Sequence, residues 1–218
     1  MTSMFQNPLI STTAGAAVSK KLIPLVVVLV FVLGDGFAQN QSNERNYEIT
    51  VLGFKIGEMT ANRSKSSDST LYKVKSNVSF WFFGKVNVDF RLDSRFANNQ
   101  VVWTRSFSKS NKGDFQSEVK WNGRHYEVDA STYKFENSKP IYDLITLSSV
   151  MLFFHEPKAN QDFLGEVFGL VSKVKKISTN VYEVTINGNT NRYYYENGIM
   201  VKAEMQSPIK NYLIKLVN

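Results

Sequence analysis

The sequence predicts a mainly β fold: an antiparallel meander of about eleven short strands, curled into a barrel or half-barrel, with one helix inserted. Three observations predict it. From Asn46 onward, apolar side chains recur at every second position, the period of a strand with one face buried. Asn122-Gly123, Asn187-Gly188 and Asn197-Gly198 punctuate that pattern, and Asn-Gly pairs suit two-residue hairpin loops. A single stretch, 140–156 (PIYDLITLSSVMLFFHE), switches to helical spacing and is flanked by strands.

The 218 residues carry 26 Lys and Arg against 19 Asp and Glu, a formal charge of +7. The first 38 read as a secretory signal peptide. Lys20 and Lys21 precede the apolar run 22–33, and Gly36 and Ala38 are small residues ahead of a cut at Gln39. The run falls short of the roughly 20 apolar residues that a spanning helix needs. Removing the leader takes Lys20, Lys21 and Asp35 with it and leaves +6. A polar lead-in, 39–45, is expected to be disordered, and 46–218 to form one β-barrel-like domain of ordinary single-domain length. Export to the periplasm follows from the leader. The chain has no cysteine, so no disulfide or thiolate chemistry is available and the core alone must hold the fold.

The strands follow in order. Tyr47, Ile49 and Val51 begin the first, Gly53 and Gly57 bend it, and 58–65 continues as the second. Segment 70–83 ends in an aromatic run, Phe80-Trp81-Phe82-Phe83, and Gly84 turns the chain. Val86, Val88, Phe90, Leu92 and Phe96 alternate with Lys85, Asn87, Asp89, Arg91 and Asp93, so one face is buried and the other wet. Val101, Trp103 and Phe107 read as in phase on the next strand. Tyr126, Val128, Tyr133 and Phe135 follow on a later one. The helix is predicted over 140–156: Pro140 suits its first position and Pro157 stops it. It is apolar on all sides near Val150 and Phe154 and is expected to plug the barrel. Further strands centre on Val167 and Val171, on Tyr182 and Val184, on Tyr193 and Tyr195, on Val201 and Ala203, and on Tyr212 and Ile214.

Motifs for catalysis are sparse. His125 and His155 fall in different elements with no ligand spacing between them, so no metal site is expected. No nucleophile elbow, phosphate loop or dinucleotide glycine pattern occurs, so no cofactor is expected. Lys and Arg are scattered along strands, which argues against nucleic acid. The aromatic excess remains. Phe90, Trp103, Phe107, Tyr133 and Phe153 are expected to face the interior and to line a site for a lipid-like ligand. Trp81 and Phe83 lie on the opposite face from Phe80 and Phe82 and are candidates for an exposed partner-binding patch.

Tyr47-Glu-Ile-Thr-Val-Leu-Gly-Phe-Lys-Ile-Gly-Glu58, together with Asp143-Leu144 in the middle of the chain and the late Asn197-Gly198-Ile199 turn, resembles uncharacterised exported β-barrel proteins of the Bacteroidota. Those families of unknown function open with a tyrosine-led strand and a Gly-x-x-x-Gly-Glu corner. The resemblance implies a periplasmic, antiparallel barrel-like fold without known catalysis, and it transfers no functional residues.

The sequence therefore points to a non-enzymatic periplasmic protein that binds a lipid or another apolar or amphipathic envelope component. The alternative is an envelope structural or assembly factor that holds a protein partner through Trp81 and Phe83. An enzyme acting on cell-wall glycan is the third reading.

Overall fold

The computed structural model describes residues 41–81, 84–111, 113–207 and 210–217. The expected signal peptide, 1–38, lies outside them, as does Phe83. Eight strands come first, as a chain of antiparallel hairpins: β1 (Gln41–Val51), β2 (Phe54–Lys65), β3 (Ser69–Trp81), β4 (Lys85–Ala97), β5 (Gln100–Ser110), β6 (Gly113–Trp121), β7 (Tyr126–Thr132) and β8 (Phe135–Asn137). A long insertion follows, ending in a two-stranded ribbon of β9 (Asp162–Gly165) and β10 (Leu170–Lys173). The second meander is β11 (Lys175–Ser178), β12 (Val181–Ile186), β13 (Asn189–Glu196), β14 (Ile199–Met205) and β15 (Tyr212–Val217).

Thirteen of these strands make one sheet, ordered β11-β12-β13-β14-β15-β1-β2-β3-β4-β5-β6-β7-β8. The first and last strands pair with each other, Ile49 opposite Ile214, and so join the two meanders. The sheet stays open between β8 and β11. The chain is an antiparallel meander of the predicted class, open rather than closed, and the expected eleven strands are fifteen among the described residues. β1 begins at Gln41, so the expected disordered lead-in is strand over most of its length.

Alternation drives the strands. On β3, Tyr72 and Val74 are buried between the exposed Lys73 and Lys75, and on β12 Tyr182, Val184 and Ile186 are buried. Tight turns use residues that tolerate positive φ: Asn187 and Gly188 have φ of 46° and 76°, and Asn197 and Gly198 have 49° and 74°.

The predicted helix over 140–156 is corrected. Only Ser149–Phe153 is helical, as a short 3-10 turn, η1. Ahead of it the chain runs extended through the interior. Tyr126 and Ile141 exchange backbone hydrogen bonds, Val101 N–H donates to the Ile145 carbonyl at 2.8 Å, and Leu164 N–H donates to that of Leu147 at 3.0 Å. Ile145 and Leu147 are buried while Tyr142 and Leu144 are exposed. The backbone finds partners on β5, β7 and β9, so a helix is not needed to satisfy it.

The turn is nevertheless the centre of the core. Val150, Met151, Leu152, Phe153 and Phe154 are all buried, among Tyr47, Tyr72, Tyr195 and Met200. Its two ends are held by side chains from elsewhere in the fold. At the start, the fully buried Glu166 accepts from Ser149 N–H at 3.0 Å, from Val150 N–H at 3.2 Å and from the Ser149 hydroxyl. At the end, Tyr195 Oη donates to the Leu152 carbonyl at 2.9 Å, and Arg45 Nη1 donates to that of Phe153. The orphan backbone groups of a buried helical turn are thereby satisfied at both ends. A second core cluster, with Val101, Val119, Tyr126, Val128, Ile145 and Leu164, lies under β5 to β7.

Candidate functional site

The five residues expected to line an interior site do not gather. Phe153 is buried on η1, with its ring 5.3 Å from that of Tyr47 at 69°. Phe90 is half-buried and packs against the same core. Both fill the interior. Trp103 and Phe107 are corrected to the outer face. The β4–β5 register slips between Arg95 and Phe96, leaving Val102 as an extra residue, and the slip reverses the phase of β5. Val101 still faces inward, but beyond the bulge the buried residues are Thr104 and Ser106, so Trp103 and Phe107 side with the exposed Arg105. Tyr133 is also corrected: it is 70% exposed at the β7–β8 turn, with Lys134 Nζ 5.0 Å from its ring.

Two hollows stand out among the described residues, and both open to solvent. One, of about 300 Å³, is lined by residues including Thr50, Leu52, Arg192, Glu204 and Tyr212. The other, of about 380 Å³, lies among Lys55, Ile56, Gly57, Glu58 and Asn77. Neither has the apolar lining of a lipid cavity.

The second hollow marks where β2 and β3 part. Their last paired residues are Gly57 and Val78. At that point the strands touch so closely that a Cβ on Gly57 would stand 2.9 Å from the Cα of Val78. Beyond it the two hairpin ends project separately. The β1–β2 and β3–β4 turns lie at the same end of the sheet, as successive odd-numbered turns of a meander must. Phe54 and Trp81 each lie three residues beyond that last pair, on the two projecting hairpins.

This end is apolar where a turn is normally polar. Phe54 and Trp81 are each 77% exposed and Leu52 is 78% exposed. Leu52 sits at φ 51° and Gly53 at φ 85°, the pair of positive angles that a two-residue hairpin loop requires. Asn fills the first such position in the β12–β13 and β13–β14 loops. Leucine there costs about 1 kcal/mol or more in backbone strain and gains no burial in return. Lys85 stands opposite Trp81 in the ladder, Lys55 follows Phe54 and pairs with Glu58 at 2.5 Å, and the exposed Lys210 lies in the β14–β15 loop at the same end. Trp81 was legible as a break in the polar face of its strand. Leu52 and Phe54 were missed because the sequence reads Leu52 as the end of an alternating strand and Phe54 as part of a bend between Gly53 and Gly57, and neither reading shows how exposed the turn is. The signal available was a leucine ahead of a glycine where a turn must fall.

Comparison with known proteins bears on the fold. The family profile described as "Domain of unknown function (DUF6134)" matches residues 47–217. Among solved structures, the chain is similar to a beta-barrel-like protein of domain of unknown function DUF1849 from Brucella abortus. The TM-score is 0.52 at 14% identity, over 82% of this chain and 96% of that one. No curated protein matches.

Proposed function

The chain belongs to the DUF6134 family, and from that premise we propose that it is a non-enzymatic, exported envelope protein that docks on an anionic lipid surface. The contact is made by Leu52, Phe54 and Trp81. The observation that carries this reading is Leu52, an exposed leucine in a left-handed turn conformation that Asn or Gly would adopt with less strain. A residue that opposes local structure and buries nothing at home has its use elsewhere. Tryptophan and phenylalanine partition into the headgroup region, and neighbouring lysines add attraction to anionic headgroups. Lys85 and Lys210, with the formal charge of +6 left once the leader is removed, supply that attraction, while Lys55 is paired with Glu58.

The ligand expected from sequence is thus met at a rim rather than inside. The filled interior, with Phe90 and Phe153 packed about η1, supports this placement. The test is sedimentation with phosphatidylglycerol-containing vesicles, compared with phosphatidylcholine alone. Leu52→Asn should lower the bound fraction several-fold while the melting temperature holds or rises. Phe54→Ser with Trp81→Ser should abolish binding with little loss of stability, since both side chains are exposed. Wild-type protein that ignores anionic vesicles would refute the lipid reading and leave these residues as a protein-binding patch.

A further inference from the structure

At the opposite end of the sheet, a different chemistry is assembled. Arg45 on β1 and Arg63 on β2 both occupy the inner face. Arg45 pairs with the fully buried Ala61, and Arg63 lies two residues further along the same face. Such diagonal neighbours stand roughly 7–8 Å apart. Arg63 is directly opposite Tyr72 on β3. Both guanidinium groups converge on one ring, that of Phe154, at 5.1 Å for Arg45 and 5.6 Å for Arg63. Beside them, Tyr72 Oη and His155 Nε2 are hydrogen-bonded at 3.0 Å. Arg45, Arg63 and His155 are half-buried, so the group is sheltered yet reachable.

Among the described residues, the arginines in ion pairs are Arg95, Arg105 and Arg192, and no carboxylate lies within 4 Å of Arg45 or Arg63. The Phe154 ring attracts each cation but offers no negative charge. One donor of Arg45 is committed to the Phe153 carbonyl. Arg63 has no such anchor among the described residues, and its fork is open to a ligand. Two adjacent cations with spare planar donors, a phenol and an imidazole match an oxyanion that accepts several hydrogen bonds and carries more than one charge.

We propose that Arg63 and Arg45, with Tyr72 and His155, form a binding site for a phosphoryl group. A carboxylate would satisfy one fork; the tetrahedral phosphate, with three or four oxygens, engages both. The His155 ring reports on the site. Burial, and then the fields of Arg63 and Arg45, hold its pKa below the ordinary 6.5. An anion seated between the arginines cancels part of that field and returns the pKa upward.

The experiment is a titration of the full chain with inorganic phosphate, against sodium acetate at equal ionic strength, read by His155 ring chemical shift and by calorimetry. Saturable phosphate binding with an upward His155 shift is expected, and Arg63→Gln should weaken it at least tenfold. Arg63 is chosen because Arg45 also holds the core turn. If Arg63→Gln fails to fold, Arg63→Lys keeps the charge without the fork and should still weaken binding. Phosphate that acts no differently from acetate, or an Arg63 variant that binds as well as wild type, overturns the proposal. A second arm adds phosphatidylglycerol vesicles. Binding reduced by Arg63→Gln identifies a lipid headgroup as the source, and binding unchanged by it identifies a free phosphate. Because inorganic phosphate needs no membrane, the result stands apart from the rim contact of Leu52, Phe54 and Trp81.

Discussion

Glu166 combines full burial with a capping role. Its carboxylate receives two backbone N–H groups and a hydroxyl, which favour the ionised form, yet burial outweighs them and raises its pKa above the ordinary 4.5. The fold therefore prefers the neutral acid. Its contribution is complete below the unfolded-state pKa and declines as pH rises towards the folded one. Wild-type melting temperature should accordingly fall from about pH 4.5 upward relative to Glu166→Gln, which cannot ionise. Melting curves of the two proteins across pH, taken as a difference, check this; parallel curves would exclude it. Glu166→Ala should lose about 1–3 kcal/mol at low pH, where two buried N–H groups lose their acceptor, and less as pH rises. None of this is readable from the sequence, where Glu166 is one acid in an expected strand around Val167 and Val171. Burial of a carboxylate is decided by what folds over it.

Among the elements, the insertion between β8 and β11 shows how far a pattern carries. The apolar residues of 140–156 were legible as core, and Val150 to Phe154 lie at its centre. Their secondary structure was not legible, because an apolar run offers both periods and the choice falls to whichever neighbours complete the backbone hydrogen bonds. The β5 bulge is a similar case. One extra residue moved Trp103 and Phe107 to the outside, and nothing in the alternation of β5 by itself marks the slip. Gly169 is the element-scale test. It turns β9 into β10 at φ 57°, and a Cβ there would overlap Val128 Cγ1. Asn137 Nδ2 donates to the Phe168 and Gly169 carbonyls, at 3.1 and 2.9 Å, and ties the ribbon to β8. Gly169→Ala should destabilise by about 1–3 kcal/mol through the combined overlap and strain, measurable by urea denaturation. A variant as stable as wild type would show that the ribbon packs loosely.

For the molecule as a whole, the decisive contact is between its two ends. β15 pairs with both β14 and β1, and Ile214 is buried between Ala203 and Ile49. Without β15 the two meanders share no ladder, and β1 and β14 become edges with unpaired backbone. Truncation before Tyr212 should therefore abolish a single cooperative transition rather than merely lower its midpoint. Far-ultraviolet circular dichroism on heating would show this, and a sharp transition in the truncated chain would contradict it. The meander and its tight turns were legible from period and punctuation. The pairing of first strand with last joins residues about 165 apart in sequence and was not.

What the sequence by itself determined is local. Alternation sets which segments become strands, Asn-Gly pairs set where they reverse, and the apolar run sets what fills the centre, because each depends on neighbours a few residues away. The tertiary structure alone decided which face each aromatic takes, which carboxylate is entombed and which arginines meet. Those outcomes depend on register across strands, where a displacement of one residue exchanges inside for outside.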